Sequence, residues 1–156
     1  MKKSTLIALS STLVMVSDYI TKRLIVDKLA LYDSIPVLPF LNIVYVENKG
    51  AAFGMFASLG NHFFITLSFV ALASILFYMS KIPKGLELFA ISLIFGGAVG
   101  NLIDRLMLGK VIDFIDVYVG KWHWPAFNVA DSALTVGIVL FILATLKQVQ
   151  KPSSTD

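Results

Sequence analysis

The chain has 156 residues, 57% hydrophobic and only 15% charged, with a mean hydropathy of +0.82. A soluble domain of this size cannot hide so much apolar surface, whereas a small helical membrane protein has no need to. The net charge of +3 is scattered and forms no Lys/Arg-rich run along which nucleic acid could bind, and the lack of cysteine excludes disulfides and thiolate metal sites.

Met1-Lys2-Lys3 followed by an apolar stretch to Ser17 has the outline of a secretory signal peptide. No small-x-small cleavage site follows, and Asp18 ends the run, so it is expected to be a retained first transmembrane helix. Four apolar runs can span a bilayer: residues 4–23, 59–79, 86–106 and 129–147. Each has about 20 residues, enough at about 1.5 Å rise to cross a core of about 30 Å. Lys81-Ile-Pro-Lys-Gly85 is a tight basic turn between the second and third. Segments 24–58 and 107–128 then lie together on the far side, giving one membrane domain over 1–156. The class expected is integral membrane, mainly α, with a small β-rich extracytoplasmic segment.

Basic residues do not fix the orientation by number: six lie on the terminal side (Lys2, Lys3, Lys81, Lys84, Lys147, Lys151) and seven opposite (Lys22, Arg23, Lys28, Lys49, Arg105, Lys110, Lys121). The Lys2-Lys3 flank of the first helix favours cytoplasmic termini. On the far side, Phe40 to Val46 and Val111 to Val119 are β-branched and aromatic, as strands are. Trp122, His123 and Trp124 suit an interfacial anchor, with substrate contact as the alternative. The tail from Lys151 reads as disordered.

Polar groups stand out against this background. Asp18 and Lys22 are i, i+4 neighbours on one helix face, which a simple ion pair explains. Asn48-Lys-Gly50-Ala-Ala-Phe-Gly54 is a small-residue turn into the second span. Gly96 and Gly100 form a small-xxx-small pair for close helix packing. Asn101 and Arg105 share a face after it, and the guanidinium suits a phosphate or a carboxylate, or an interfacial pair with Asp104. Asn128 and Asp131 open the last run at i, i+3, where both can serve as helix caps. Asp113, between Val111-Ile112 and Phe114-Ile115, has no comparable explanation; Asp116 reads as a solvated strand or turn residue. No His-Glu-x-x-His occurs, His62 and His123 are far apart, and no spacing selects Ser17 or Ser132 as a nucleophile.

Five phrases together resemble the lipoprotein signal peptidases, the type II signal peptidases of bacteria. They are Asp18…Lys22, Asn48-x-Gly-Ala-Ala-Phe53, Gly96-Gly-Ala-x-Gly-Asn101-x-x-Asp104-Arg105, Val111-x-Asp113-Phe114 and Phe127-Asn-x-Ala-Asp131, in the family's order. The resemblance implies an aspartic endopeptidase of the bacterial inner membrane, with Asp113 and Asp131 as its catalytic dyad. The substrate would be a prolipoprotein carrying a diacylglyceryl group on its lipobox cysteine, cut just before that cysteine. Asp18, Lys22, Asn48, Gly50, Asn101, Arg105 and Asn128 would shape the site or contact substrate, and Asp104, Gly96 and Gly100 would support it. No metal or cofactor is implied; membrane phospholipids are expected as surroundings, nucleic acid is not, and a monomer is expected. The competing classes are a proton-coupled transporter, which places acidic groups near the bilayer midplane, and a purely structural membrane subunit. Here the acidic residues gather at one end of the spans, with Glu87 near the other.

Overall fold

The computed structural model describes residues 2–50 and 55–149. Within them lie α1 (Lys3–Lys28), β1 (Ser34–Leu38), β2 (Leu41–Asn48), a short 3-10 turn (Ala57–Leu59), α2 (Gly60–Lys81), α3 (Leu86–Leu108), β3 (Val111–Val119), β4 (Trp122–His123) and α4 (Val129–Val149). Residues 51–54, part of the small-residue turn, and the tail from residue 150 lie outside the described residues.

Hydrocarbon offers the backbone no partner, so long apolar runs satisfy their N–H and C=O groups internally as helices. All four helices are long and apolar enough to cross a membrane. The first is longer than its apolar run: helix persists through Arg23 to Lys28 and yields to extended backbone at Leu29. The third ends where Gly109 takes a left-handed conformation (φ 74°), its N–H closing on Arg105 O at 3.2 Å.

α3 is the central helix. Its most apolar stretch is 56% buried within the protein, against 17% for each of the other three. Leu9, Leu13, Phe69, Val70, Phe77, Val139 and Leu143 on those three point outward, an arrangement suited to lipid. The buried positions of α1 (Ser10, Ser11, Val14, Asp18, Lys22 and Ile25) recur every three or four residues, so one stripe faces the bundle. Asp18 and Lys22 fall on that stripe and not on the outer surface. Ser11 Oγ donates to Ser92 O across it at 2.9 Å. At the other end, Lys3 Nζ donates to Ile82 O at 2.6 Å, and Tyr78 hydrogen-bonds to Glu87.

The glycines expected to allow close packing do so. A Cβ at Gly96 would stand 2.9 Å from Ser11 O on α1, and one at Gly100 would stand 2.8 Å from the Asp18 carboxylate. Between them, Gly97 is the tightest, since a Cβ there would meet Ala130 O on α4 at 2.4 Å. Gly97→Ala is therefore expected to push α4 outward and cost about 1–3 kcal/mol. Thermal unfolding in detergent should show the loss, while Gly85→Ala, with open space at its Cβ, should leave the midpoint nearly unchanged.

The sheet has the order β1-β2-β3-β4, every pair antiparallel. Pro36 sits in β1 at the edge, where a missing N–H is tolerated, next to an irregularity between Pro36 and Leu38. The β2–β3 register sets Val46 opposite Asp113 and Asn48 opposite Val111, so the strand ends nearest α3 carry the polar phrases.

Candidate active site

The site begins with the first turn of α4. Asn128 precedes the helix, and its Oδ1 accepts from Asp131 N at 2.8 Å while Asp131 Oδ2 accepts from Asn128 N at 3.3 Å. This reciprocal cap makes both residues the helix caps that their spacing allowed. A further N–H of that turn, Ala130 N, donates to Asp18 Oδ1 at 2.8 Å. Capping leaves Asp131 Oδ1 free to meet Asn101 Nδ2 at 2.7 Å from α3.

Asp113 enters from β3 and is 2% exposed. Its Oδ2 accepts from Asn48 Nδ2 at 3.0 Å and its Oδ1 from Asn128 Nδ2 at 2.7 Å. Three carboxamides thus hold two carboxylates, and each amide's orientation is fixed by what its oxygen accepts. Asn48 Oδ1 takes Gly50 N–H at 2.9 Å, Asn128 Oδ1 takes Asp131 N–H, and Asn101 Oδ1 takes the Lys22 ammonium at 3.1 Å. None of these donors can act as an acceptor, so each NH₂ must point at a carboxylate. Asn128 Nδ2 also lies 3.2 Å from Asn101 Oδ1, joining the two halves.

Burial is the main force on Asp113, and the Asp131 charge adds to it, pushing its carboxyl up to about 7; the two asparagine amides and Lys22 oppose this. Near neutral pH Asp113 therefore gains and loses its proton beside a second carboxylate, and where two such groups interact the apparent values belong to the pair. The pair can therefore supply an acid and a base at once.

Behind the asparagines, Lys22 Nζ stands 2.7 Å from Asp18 Oδ2, 2.9 Å from Asp104 Oδ2 and 3.1 Å from Asn101 Oδ1. The ammonium thus has two carboxylates and one amide oxygen within 3.1 Å. Asp104 was expected to support Arg105; it supports Lys22 instead, and it receives Ile112 N–H at 3.1 Å where β3 begins. Arg105 turns the other way, donating to Gly50 O at 3.1 Å with its guanidinium over the Phe64 ring at 5.3 Å.

Asp113 and Asp131 line one cleft of about 860 Å³ between α2, α3, α4 and the segment from Trp124 to Phe127. Asn48, Gly50, Asn101 and Arg105 share that lining, as do the apolar side chains of Phe64, Leu67 and Leu134. Asp18, Lys22 and Asn128 do not: they are buried behind the carboxylates and shape the site without reaching its wall. A smaller cavity of about 140 Å³ on the Tyr19–Arg23 side holds neither Asp113 nor Asp131.

Two features escaped the sequence reading. Phe64 lines the cleft, with nothing in its spacing to say so, as does Trp124, for which substrate contact was the alternative to an interfacial anchor. Asp116, expected to be solvated, is 8% exposed and bonded to His123 and Asn42. Alternation along β3 carries no such signal, since Val111 to Phe114 are buried without a break.

Comparison with known proteins places this arrangement. The model of the family described as Signal peptidase (SPase) II matches residues 10–147. The lipoprotein signal peptidase of Thermodesulfovibrio yellowstonii is 48% identical over 141 residues, spanning 90% of this chain and 95% of that one. That of Syntrophus aciditrophicus is 41% identical over 162 residues, spanning 99% and 100%. A bacterial membrane enzyme solved by the in meso method superposes with a TM-score of 0.88 at 36% identity, over 96% of this chain and 93% of the other. With matches of this extent to sequence and fold alike, the chain belongs to the signal peptidase II family and is a peptidase with membrane-spanning helices.

Proposed function

We propose that Asp113 and Asp131 are the catalytic dyad of an aspartic endopeptidase that removes the signal peptide from diacylglyceryl-modified prolipoproteins. The observation that carries this reading is the pair itself: two carboxylates from different elements, both on one apolar cleft, each held by asparagine amides. The ionised member takes a proton from a water molecule, which attacks the scissile carbonyl. The protonated member donates toward the carbonyl oxygen, and the pair then delivers a proton to the leaving amine of the lipidated cysteine. The two carboxylates make every proton transfer and no electron is exchanged, so the proposed step calls for no metal or organic cofactor.

The cleft opens between α2 and α4, whose outer surfaces suit lipid, so acyl chains can enter from the bilayer while the peptide lies across the carboxylates. Arg105, on Gly50 O and over Phe64, closes the end near Asn48 and is placed to meet a substrate carbonyl or glyceryl ester oxygen. The sheet, from Ile35 onward, covers the substrate from outside. In the bacterial inner membrane, with both termini cytoplasmic, these groups face the extracytoplasmic side. All of them come from one chain, so a monomer suffices.

The test is cleavage of a purified prolipoprotein in liposomes, with and without its diacylglyceryl group, the cut located by mass spectrometry. Each acyl CH₂ buried is worth about 0.8 kcal/mol, so the unlipidated substrate should lose at least about tenfold in kcat/KM. Equal rates would mark a general membrane peptidase. Chelators should leave the rate unchanged, and inhibition reversed by added metal would overturn the mechanism.

A further inference from the structure

Asn48 is the last residue of β2 and lies opposite Val111, so the sheet holds its backbone but not the chain that follows. Its amide faces Asp113 with the amide oxygen on Gly50 N–H, two residues further on. Such a bond closes a local turn, and it steadies the amide only as well as Gly50 itself is held. Gly50 is buried, and its carbonyl accepts from Arg105 of α3. The bonds form a continuous path: Arg105 Nη2 to Gly50 O at 3.1 Å, Gly50 N to Asn48 Oδ1 at 2.9 Å, and Asn48 Nδ2 to Asp113 Oδ2 at 3.0 Å.

Arg105 is the fixed end of this path. Its guanidinium lies over the Phe64 ring at 5.3 Å, with Nη1 3.4 Å from Asn101 O one turn back on α3. Its own carbonyl takes Asn61 Nδ2 of α2 at 2.9 Å and Gly109 N at 3.2 Å. With five N–H donors it can hold Gly50 O and still reach a substrate oxygen. On the other side of the dyad, Lys22 bonds Asn101 Oδ1, and Asn101 Nδ2 bonds Asp131 Oδ1. Each carboxylate is thus reached from a cation by way of an asparagine.

We propose that Arg105 is a positioning residue for Asp113: by holding Gly50 it fixes the Asn48 amide that meets the carboxylate. This rests on Asp113 belonging to the dyad, as proposed above. The charged groups facing Asp113 are Asp131 of α4, Lys22 of α1 and Arg105 itself. The Asn48 amide favours the ionised carboxylate, so loosening it raises the pH at which Asp113 loses its proton.

Infrared titration of the substrate-free enzyme in liposomes can follow the carboxylic C=O band that Asp113→Asn removes. Asn48→Ala should move its midpoint up by about one pH unit, the worth of one hydrogen bond to a charged group. Arg105→Lys keeps the charge but not the planar fork, and should move the midpoint in the same direction. In the Asn48→Ala background it should move it no further. With lipidated prolipoprotein, kcat of Arg105→Lys should fall about tenfold, and its basic limb should follow the infrared midpoint. An unmoved midpoint in folded Arg105→Lys would overturn the proposal, as would a shift equally large with and without the Asn48 amide. So would a rise in KM at constant kcat, which marks a substrate contact alone. Should the lysine variant fail to fold, Arg105→Met serves in the same cycle: its lost charge acts equally in both backgrounds and cancels, leaving the part that passes through Asn48. If the unaltered protein failed to cut lipidated prolipoprotein, the proposed function would fall, while the infrared cycle would still report whether Arg105 steadies the amide on Asp113.

Discussion

Asp113→Asn and Asp131→Asn should each slow turnover of lipidated prolipoprotein by about a thousandfold or more, with the fold intact. The asparagine keeps the shape of the carboxylate but can neither accept a proton from water nor share one. Single-turnover assays in liposomes, beside thermal unfolding of each variant, separate lost chemistry from lost structure. Near-normal turnover in either variant would remove that residue from the dyad. The pH profile of the unaltered enzyme adds an independent check. The Asp113 carboxyl is pushed up to about 7, so activity should fall along a basic limb near that pH as the shared proton leaves.

The same burial predicts an effect on stability with a definite sign. A carboxyl whose folded value lies above its ordinary value of 3.8 binds more protons folded than unfolded between 3.8 and about 7. Its contribution is therefore fully present below 3.8 and is lost as pH rises through 7. Asp113→Asn has no charge to bury but sets an NH₂ against the Asn48 or Asn128 amide, a cost that does not depend on pH. The stability of the variant relative to the unaltered protein should therefore improve by on the order of a few kcal/mol between pH 4 and pH 8. Unfolding midpoints in detergent at the two pH values decide it, and a difference that does not change with pH would contradict the burial argument.

How much of this could be read in the chain depends on the range of each interaction. The four helices were legible because a hydrocarbon-spanning run must be long, apolar and helical, whatever its neighbours. The Asp18–Lys22 pair was legible for a similar reason, four residues being about one turn. The third and fourth members of that cluster were not: Asp104 and Asn101 approach Lys22 only because α1 and α3 pack on a stripe of small residues. Local sequence pointed the wrong way at Asp104, since adjacent residues on a helix diverge by about 100° and its neighbour Arg105 points elsewhere. Asn48 meets Asp113 across 65 residues, a contact set by the β2–β3 register, which no single strand specifies. Asp116 was misjudged as solvated because its partners, Asn42 and His123, come from neighbouring strands that its own segment does not specify.

Lys22→Met should be the most damaging change outside the dyad. The ammonium is 4% exposed, paired with Asp18 and Asp104 and hydrogen-bonded to Asn101. Removing it leaves two buried carboxylates facing one another without a counter-charge, a loss of about 3–5 kcal/mol. It also takes from Asn101 Oδ1 one of its two donors, leaving Asn128 Nδ2 at 3.2 Å, so the amide that points at Asp131 is held less firmly. These consequences can be pulled apart. Adding Asp18→Asn and Asp104→Asn to Lys22→Met removes the unpaired charges and should restore most of the stability, because each asparagine retains an oxygen for Ala130 N and Ile112 N. Turnover should stay about a hundredfold low, since a small misplacement of a catalytic group is enough for that loss. Thermal unfolding and single-turnover rates on the single and triple variants carry the comparison. Full turnover in a stable triple variant would reduce Lys22 to a counter-ion; a stable but slow enzyme would mean that a buried ammonium on α1 orients, through one asparagine, the carboxylate that works on α4.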